Sequence, residues 1–143
     1  MAINFQFIRP RTICEFRVNK AQLIRDMMMQ TKIFRPKAFI FREFETAQEA
    51  FIIKSGLVEM TQTITHDGEE KQKIIAVLGP GEMFGEMALI DHELRIATAR
   101  AKNEEVTLQI ISQQQFDIVL RDTNPFVKKM LEIEIGRLRS KKI

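Results

Sequence analysis

Residues 79–101 read GPGEMFGEMALIDHELRIATARA, and this segment carries the strongest indications of both fold and function. The Gly-Pro-Gly sequence at 79–81 ends the β-rich run before it, and Gly85 allows the backbone to approach a ligand closely. Residues 85–90 then predict about one helical turn. A helix N-terminus presents unpaired backbone N–H groups and a partial positive charge, so this segment is suited to bind an anion.

Two charged side chains in the segment have complementary chemistry. Arg95 follows Glu86 by nine residues, so the next part of the chain can return it to the same anion. The planar guanidinium donates to two phosphate oxygens at once. An ionised Glu86 only accepts hydrogen bonds, which suits a sugar hydroxyl. An anion site beside a hydroxyl acceptor describes a ribose phosphate.

Around this segment, short β-rich runs separated by turn residues extend from about residue 33 to residue 111. A hairpin is predicted where Asp67-Gly68 joins two such runs, because this pair favours the positive φ angles of a tight turn. A final strand pair is predicted from ATARA and VTLQII. The runs are FIF at 39–41, AFII at 50–53, LVEM at 57–60, TQTIT at 61–65, EEKQKIIAVL at 69–78, ATARA at 97–101 and VTLQII at 106–111.

Helices are predicted at both ends of the chain. Asn19 with Gln22, and Ser112 with Gln115, have the spacing of a capping box, which predicts helices over 19–29 and from 112 to about 120. Asn124-Pro125 predicts a last helix with apolar residues on two faces. The predicted fold class is α+β: an antiparallel, jelly-roll-like β-roll over about 33–111, with one N-terminal helix and two C-terminal helices over 112–142. We expect one domain over residues 1–143.

Phe84-Gly85-Glu86-Met87-Ala88-Leu89, followed after five residues by Arg95-Ile96-Ala97-Thr98, resembles the phosphate-binding cassette of the cyclic nucleotide-binding domain family. The family pattern is F-G-E-[LIM]-A-L, five residues, then R-x-A-[TS]. The LGPG sequence at 78–81 and FIIKSG at 51–56 are also similar to family segments. The resemblance extends from about residue 20 to the end of the chain.

The resemblance implies a role for each matching residue. Arg95 is expected to bind the exocyclic phosphate oxygens, and Glu86 to accept the ribose 2′-hydroxyl. Ile74 and the strand residues near it are expected to line the base. The predicted ligand-binding residues are Phe84, Gly85, Glu86, Met87, Ala88, Arg95, Ile96 and Ala97, with Phe84 more a core residue than a ligand contact; the backbone N–H groups around the others complete the phosphate and ribose site.

The chain departs from the family at several positions. Lys37 and Phe44 stand where the family usually has Gly, and because a positive φ is costly for Phe we expect these turns to differ. Ile96 stands where a small residue is usual, and a hydroxyl there favours cyclic GMP in the family. Ile96 has no hydroxyl, so we expect cyclic AMP as the ligand before cyclic GMP.

Composition excludes several other classes of protein. A net charge of +3 over 143 residues, with no run of like charges, does not predict a nucleic-acid surface. No segment approaches the about 20 apolar residues that cross a bilayer. The single cysteine, Cys14, indicates a reduced, cytoplasmic setting. The two histidines, His66 and His92, have no metal-ligand partners at useful spacing, and we expect no metal, no cofactor and no catalytic activity.

Two alternatives remain open at this point. The chain is either a nucleotide sensor or a degenerate β-roll that binds a partner protein with no nucleotide. A sensor of this kind is either free-standing or the fragment of a catabolite-activator-type transcription factor. The expected partners are a cyclic nucleotide and either an effector protein or a second copy bound through the C-terminal helix.

Overall fold

The computed structural model describes residues 30–141, together with Gln22 and Arg25, which are both helical. The remainder of the helix predicted over 19–29, and Cys14, lie outside the described residues. The strands are β1 (Thr31–Phe34), β2 (Phe39–Phe41), β3 (Glu49–Ser55), β4 (Val58–His66), β5 (Glu69–Leu78), β6 (Met83–Phe84), β7 (Thr98–Ala101) and β8 (Val106–Ser112). The helices are α1 (Met87–Asp91), α2 (Gln113–Arg121) and α3 (Pro125–Ser140).

The strands form two four-stranded sheets, with the orders β1-β8-β3-β6 and β2-β7-β4-β5. Every pairing in them is antiparallel. The two sheets enclose the core, and Leu89 of α1 and Phe116 of α2 pack with Ala50 and Ile111 of the first sheet in a second, smaller cluster. The predicted α+β β-roll is therefore confirmed.

One predicted pairing is wrong. The strands at 97–101 and 106–111 were expected to pair with each other, but β7 pairs with β2 and β4, and β8 pairs with β1 and β3. The chain crosses from one sheet to the other between them. Nearness in sequence favours a hairpin, but each strand lies between two others in its own sheet. Most of β8 and every second residue of β7 are buried there, and this burial outweighs a single local pairing.

The hairpin of β4 and β5 forms as predicted. Asp67 has φ 51° and Gly68 has φ 77°, as the two central residues of a tight hairpin turn require. The register runs from His66 opposite Glu69 back to Thr61 opposite Ile74, and then shifts, so that Met60 lies opposite Ala76. This bulge leaves Ile75 without a partner in the register and changes the direction of its side chain.

The core between the sheets rests on alternating inward residues. Three rings on different strands meet in it, with centroids 5.2 Å apart for Phe51 and Phe84, 5.9 Å for Phe41 and Phe84, and 6.0 Å for Phe41 and Phe51. Small inward residues of β7 leave room for these rings. The buried cluster comprises Phe41, Phe51, Ile53, Val58, Met60, Phe84, Ala97, Ala99, Ala101, Val106, Leu108 and Ile110.

The turns at Lys37 and Phe44 do not differ as expected. Lys37 has φ 65° and Phe44 has φ 70°, so both non-glycine residues adopt the left-handed conformation. The backbone hydrogen bonds around Phe44 account for this: its N–H donates to the carbonyl of Arg95 at 2.9 Å, and the N–H of Arg95 donates to the carbonyl of Glu45 at 2.9 Å. These tertiary contacts offset the roughly 1–2 kcal/mol that the left-handed conformation costs an L-residue.

Both C-terminal helices begin as predicted. Ser112 and Gln115 form a reciprocal capping box at the start of α2, and Asn124 caps α3 ahead of Pro125. Along α3, Ile135 is buried, while large apolar residues on its other faces are exposed. No helix within the described part of the chain is long and apolar enough to cross a membrane.

Candidate functional site

The cassette segment begins at β6 and turns sharply into the short helix α1. Phe84 and Leu89 are buried and fix this segment to the roll. The helical hydrogen bonds start with the N–H groups of Leu89 and Ile90, which both donate to the carbonyl of Glu86. The N–H groups of Met87 and Ala88 lie upstream of that ladder, where a helix has donors to offer an anion.

Arg95 is a buried cation at the centre of the site. It is 5% exposed, and its guanidinium stacks on the ring of Phe41 with 4.0 Å between Cζ and the ring centroid. Nη1 donates to the carbonyl of Gly85 at 2.8 Å, and Nη2 donates to the carbonyl of Glu49 at 2.6 Å. Nε is buried and has no hydrogen-bond partner among the described residues. A buried donor of this kind is uncommon and marks a place where a ligand acceptor is expected.

Gly85 is the point at which the cassette backbone meets this cation. Its φ is 80°, and a Cβ atom added there would lie 2.8 Å from Nη1 of Arg95 and 3.2 Å from the ring of Phe41. The sharp turn and the close approach therefore both require glycine. The predicted importance of Gly85 thus has a steric reason.

Burial governs the ionisation of both charged residues. It raises the pKa of the Glu86 carboxyl above its ordinary value of 4.5, and a backbone hydrogen bond and the charge of Arg95 oppose this rise. Burial lowers the pKa of the Arg95 guanidinium, and the carboxylates of Glu49, Glu45 and Glu86 oppose that fall. An arginine with such neighbours keeps its positive charge at neutral pH.

These groups border a cavity of about 220 Å³. Every residue predicted to bind the ligand lines it: Phe84, Gly85, Glu86, Met87, Ala88, Arg95, Ile96 and Ala97. The fold thus brings the two halves of the motif, 84–88 and 95–97, to one place. Glu86, Arg95 and Arg139 are its charged lining residues, and most of the others are apolar.

The structure adds lining residues that the motif did not predict: Phe41, Met60, Ile75, Ala76, Met83 and Arg139. Of the strand residues expected near the base, Ile74 is 56% exposed and does not line the cavity, whereas its neighbours Ile75 and Ala76 do. The bulge in β5 is the reason, and no sequence signal locates it. Arg139 has only a weak signal, its position as a basic residue in the last turn of a predicted helix.

Both histidines lie at the surface. His66 is in the hairpin, and His92 ends α1 with φ 57°. Within the residues that the structure describes, no group of three or more His, Cys, Asp or Glu side chains is arranged to hold a metal ion.

Comparison with known proteins agrees with this geometry. The chain is 34% identical over 79 residues to cGMP-dependent protein kinase 2 of Homo sapiens, which corresponds to 55% of this chain and 10% of the kinase. It is 30% identical over 92 residues to the Cyclic AMP receptor protein of Thermus thermophilus, which corresponds to 64% of this chain and 41% of that protein. The chain thus spans less than half the length of these curated relatives.

Solved structures share the fold. The EAL enzyme Bd1971 in its cAMP-bound form matches with a TM-score of 0.68 and 36% identity, over 78% of this chain and 29% of that chain. The Catabolite Activator Protein of Thermus thermophilus matches with a TM-score of 0.60 and 25% identity, over 87% of this chain and 58% of that chain. The family model of the cyclic nucleotide-binding domain matches residues 31–123. Because this match covers more than half of the chain and contains the whole cassette, the chain belongs to the cyclic nucleotide-binding domain family.

Proposed function

We propose that this domain binds cyclic AMP, with the cyclic phosphate at Arg95 and the ribose at Glu86, and passes the binding signal on through α3. The observation that carries the proposal is the buried guanidinium of Arg95, whose Nε has no partner among the described residues and which borders the cavity. A buried cation in an apolar cavity attracts a single anionic group strongly, because little water screens it.

The cassette supplies the groups for both the phosphate and the ribose, with Arg95 near its end and Glu86 near its start. Arg95 holds its guanidinium against the carbonyl of Gly85, so the donors of the guanidinium and the first N–H groups of α1 border the same space. A phosphate diester carries one negative charge and two exocyclic oxygens, which these donors match. Glu86 lies at the start of α1, where an ionised carboxylate accepts a hydrogen bond from the 2′-hydroxyl.

The base preference rests on the apolar wall of the cavity. Ile75, Ala76 and Met83 line that side, and Ile96 adds a fourth apolar side chain with no hydroxyl. Guanine carries more exocyclic polar groups than adenine, and each one loses water on burial without gaining a partner from these side chains. We therefore expect cyclic AMP to bind more tightly than cyclic GMP. The similar EAL enzyme Bd1971 accepts either nucleotide, since its structures include a cAMP-bound and a cGMP-bound form.

Signalling through α3 is supported by the position of this helix. Arg139 in its last turn lines the cavity, while Phe126, Met130 and Ile133 are exposed. We propose that nucleotide binding holds the end of α3 against the roll, so that its exposed apolar face is presented differently to an effector protein or a second copy. A ligand shifts such an equilibrium only through contacts that differ between the two positions. The domain itself is proposed to bind and not to catalyse.

Titration calorimetry with cyclic AMP, cyclic GMP and linear 5′-AMP tests the proposal, and Arg95→Ala is the decisive variant. We expect the parent chain to bind the cyclic nucleotides and to prefer cyclic AMP. Arg95→Ala should lose about 1.5–3 kcal/mol of binding free energy, roughly 10- to 150-fold in affinity, because hydrogen bonds to a charged group are removed.

Arg100→Ala is the matched control. Arg100 lies on β7, shortly after Arg95, but strand alternation directs it to the outer face of the sheet, where its Nη2 is 3.9 Å from Oε1 of Glu59. This variant should bind like the parent. If neither cyclic nucleotide binds the parent at millimolar concentration, the degenerate, partner-binding alternative is favoured. Parent-like binding by Arg95→Ala would exclude the cassette as the phosphate site.

A further inference from the structure

Arg139, in the last turn of α3, makes a three-point contact with the cassette segment. Its Nε and Nη2 donate to the two carboxylate oxygens of Asp91, with 2.9 Å between Nη2 and Oδ1. Its Nη1 donates to the carbonyl of Leu94 at 3.0 Å. All three guanidinium nitrogens therefore have partners, and the pair with Asp91 has the bidentate geometry in which arginine binds carboxylates most strongly.

This pair differs from an ordinary surface ion pair. The side chain of Arg139 is 21% exposed and that of Asp91 is 18% exposed, so water screens their attraction only partly. Most exposed ion pairs contribute little, because two flexible side chains must be ordered in high dielectric. The pair of Arg137 and Glu134 is of this second kind: both side chains are largely exposed, and both lie on α3 itself.

The pair connects α3 to both parts of the nucleotide site. Asp91 ends the helix α1, which begins directly after Glu86, and Leu94 immediately precedes Arg95. Arg139 also lines the cavity. Elsewhere along α3, Ile135 is buried, but Phe126 and Met130 are exposed. Arg139 is thus a main attachment of the helix at the end where the helix meets the cavity.

We propose that Asp91 and Arg139 form a positioning pair, which holds α3 on the cassette and fixes the Leu94–Arg95 segment for the phosphate. The inference rests on the proposed function and adds to it the residues that couple the site to the helix. Coupling between two events is reciprocal in free energy. If bound nucleotide favours the docked helix, the docked helix must favour the nucleotide by the same factor. The pair therefore sets nucleotide affinity through the position of α3 and of the Leu94–Arg95 segment.

The test compares Arg139→Gln and Asp91→Asn with the control Arg137→Gln, which removes an arginine of the same helix that does not reach the cassette. Calorimetry with cyclic AMP gives the affinity, and hydrogen exchange over residues 125–141, with and without cyclic AMP, reports on the helix. We expect both pair variants to bind roughly 5- to 30-fold more weakly, within the usual range of coupling between sites. Their helix should exchange faster without nucleotide and gain less protection with it. Arg137→Gln should match the parent in both measurements.

The double variant Asp91→Asn with Arg139→Gln shows whether the two residues act together or contribute to affinity independently. If the two act together, the double variant loses about as much affinity as Arg139→Gln alone. Losses that add would overturn the inference, and so would parent-like affinity and exchange in Arg139→Gln; either result leaves the proposed function intact. A parent chain that binds no cyclic nucleotide would instead overturn the proposed function and, with it, the effect on affinity. In that case, faster exchange of α3 in Arg139→Gln would still establish that the pair holds the helix.

Discussion

Gly85 and Arg95 show how closely the backbone and a buried charge are fitted in this site. The carbonyl of Gly85 accepts a hydrogen bond from Nη1 of Arg95, while its Cα faces the same guanidinium. The Gly85 carbonyl thus accepts a hydrogen bond from the guanidinium, and the missing side chain leaves room for the guanidinium. Any side chain at residue 85 would displace the Arg95 guanidinium, and we therefore expect a substitution there to weaken nucleotide binding through Arg95.

We expect Gly85→Ala to lower the stability of the domain and to weaken cyclic nucleotide binding. The added Cβ lies 2.8 Å from Nη1 of Arg95 at a residue with φ 80°, so the backbone is strained and the guanidinium must move. The expected loss of unfolding free energy is about 1–3 kcal/mol. Urea unfolding measures the stability, and calorimetry with cyclic AMP measures the affinity.

Gly81→Ala is the control for this substitution. Gly81 has φ 89°, but an added Cβ meets nothing within 4 Å, so the variant has similar backbone strain without a clash. It should lose stability but bind nucleotide like the parent. Equal effects of the two substitutions on affinity would contradict the role of Gly85 in positioning Arg95.

The junction between β8 and α2 is hydrogen-bonded to the cassette helix α1. Ser112 ends the strand and caps the helix: its Oγ accepts from the N–H of Gln115 at 3.2 Å, and the Gln115 side chain accepts from the N–H of Ser112 at 3.0 Å. The next residue, Gln113, donates from its side chain to the carbonyl of Leu89 in α1 at 3.0 Å. The start of α2 is therefore fixed to the end of the cassette helix.

Ser112→Ala should lower the unfolding free energy by about 1 kcal/mol, because it leaves a backbone donor of α2 without its cap. Chemical denaturation measures the change. Ser140→Ala is the matched control, since the Ser140 hydroxyl donates to the carbonyl of Arg137 at the exposed end of α3. This control should stay within about 0.5 kcal/mol of the parent. An equally small effect of Ser112→Ala would mean that tertiary contacts hold α2 without the cap.

For the whole molecule, the raised pKa of Glu86 makes the stability depend on pH. A carboxyl whose folded-state pKa is raised stabilises the fold only while it is protonated. Its contribution is complete below about pH 4.5, the ordinary value, and is lost as the pH rises through the folded-state pKa. Raising the pH towards neutrality therefore removes the contribution of the half-buried Glu86 to stability, a cost that its proposed role at the ribose explains.

Glu86→Gln should accordingly be more stable than the parent at pH 7, and this advantage should shrink as the pH is lowered towards 4.5. Urea unfolding of both proteins across that range tests it. Glu104→Gln removes an exposed carboxylate and controls for the change in net charge. An advantage of Glu86→Gln that stays constant with pH would mean that the cost of Glu86 is steric and unrelated to its ionisation.

Much of the fold could be predicted from local sequence because its signals are local. The short β-rich runs, the Asp67-Gly68 turn and the caps at Ser112 and Asn124 each act within a few residues, and the structure confirms them. The motif at 84–98 likewise identified the family, and it contains Glu86 and Arg95, two of the three charged residues that line the cavity. These features depend on spacing along the chain, which a sequence displays directly.

Only the tertiary structure decided the remaining features. The separation of β7 and β8 into different sheets, the left-handed turn at Phe44, the bulge that directs Ile75 into the cavity and the contact of Arg139 with Asp91 all join residues far apart in the chain. Local preference opposes the first two, and no local signal predicts the others. Burial and hydrogen bonding between distant segments stabilise each of these features, and these contacts form only when the roll has assembled.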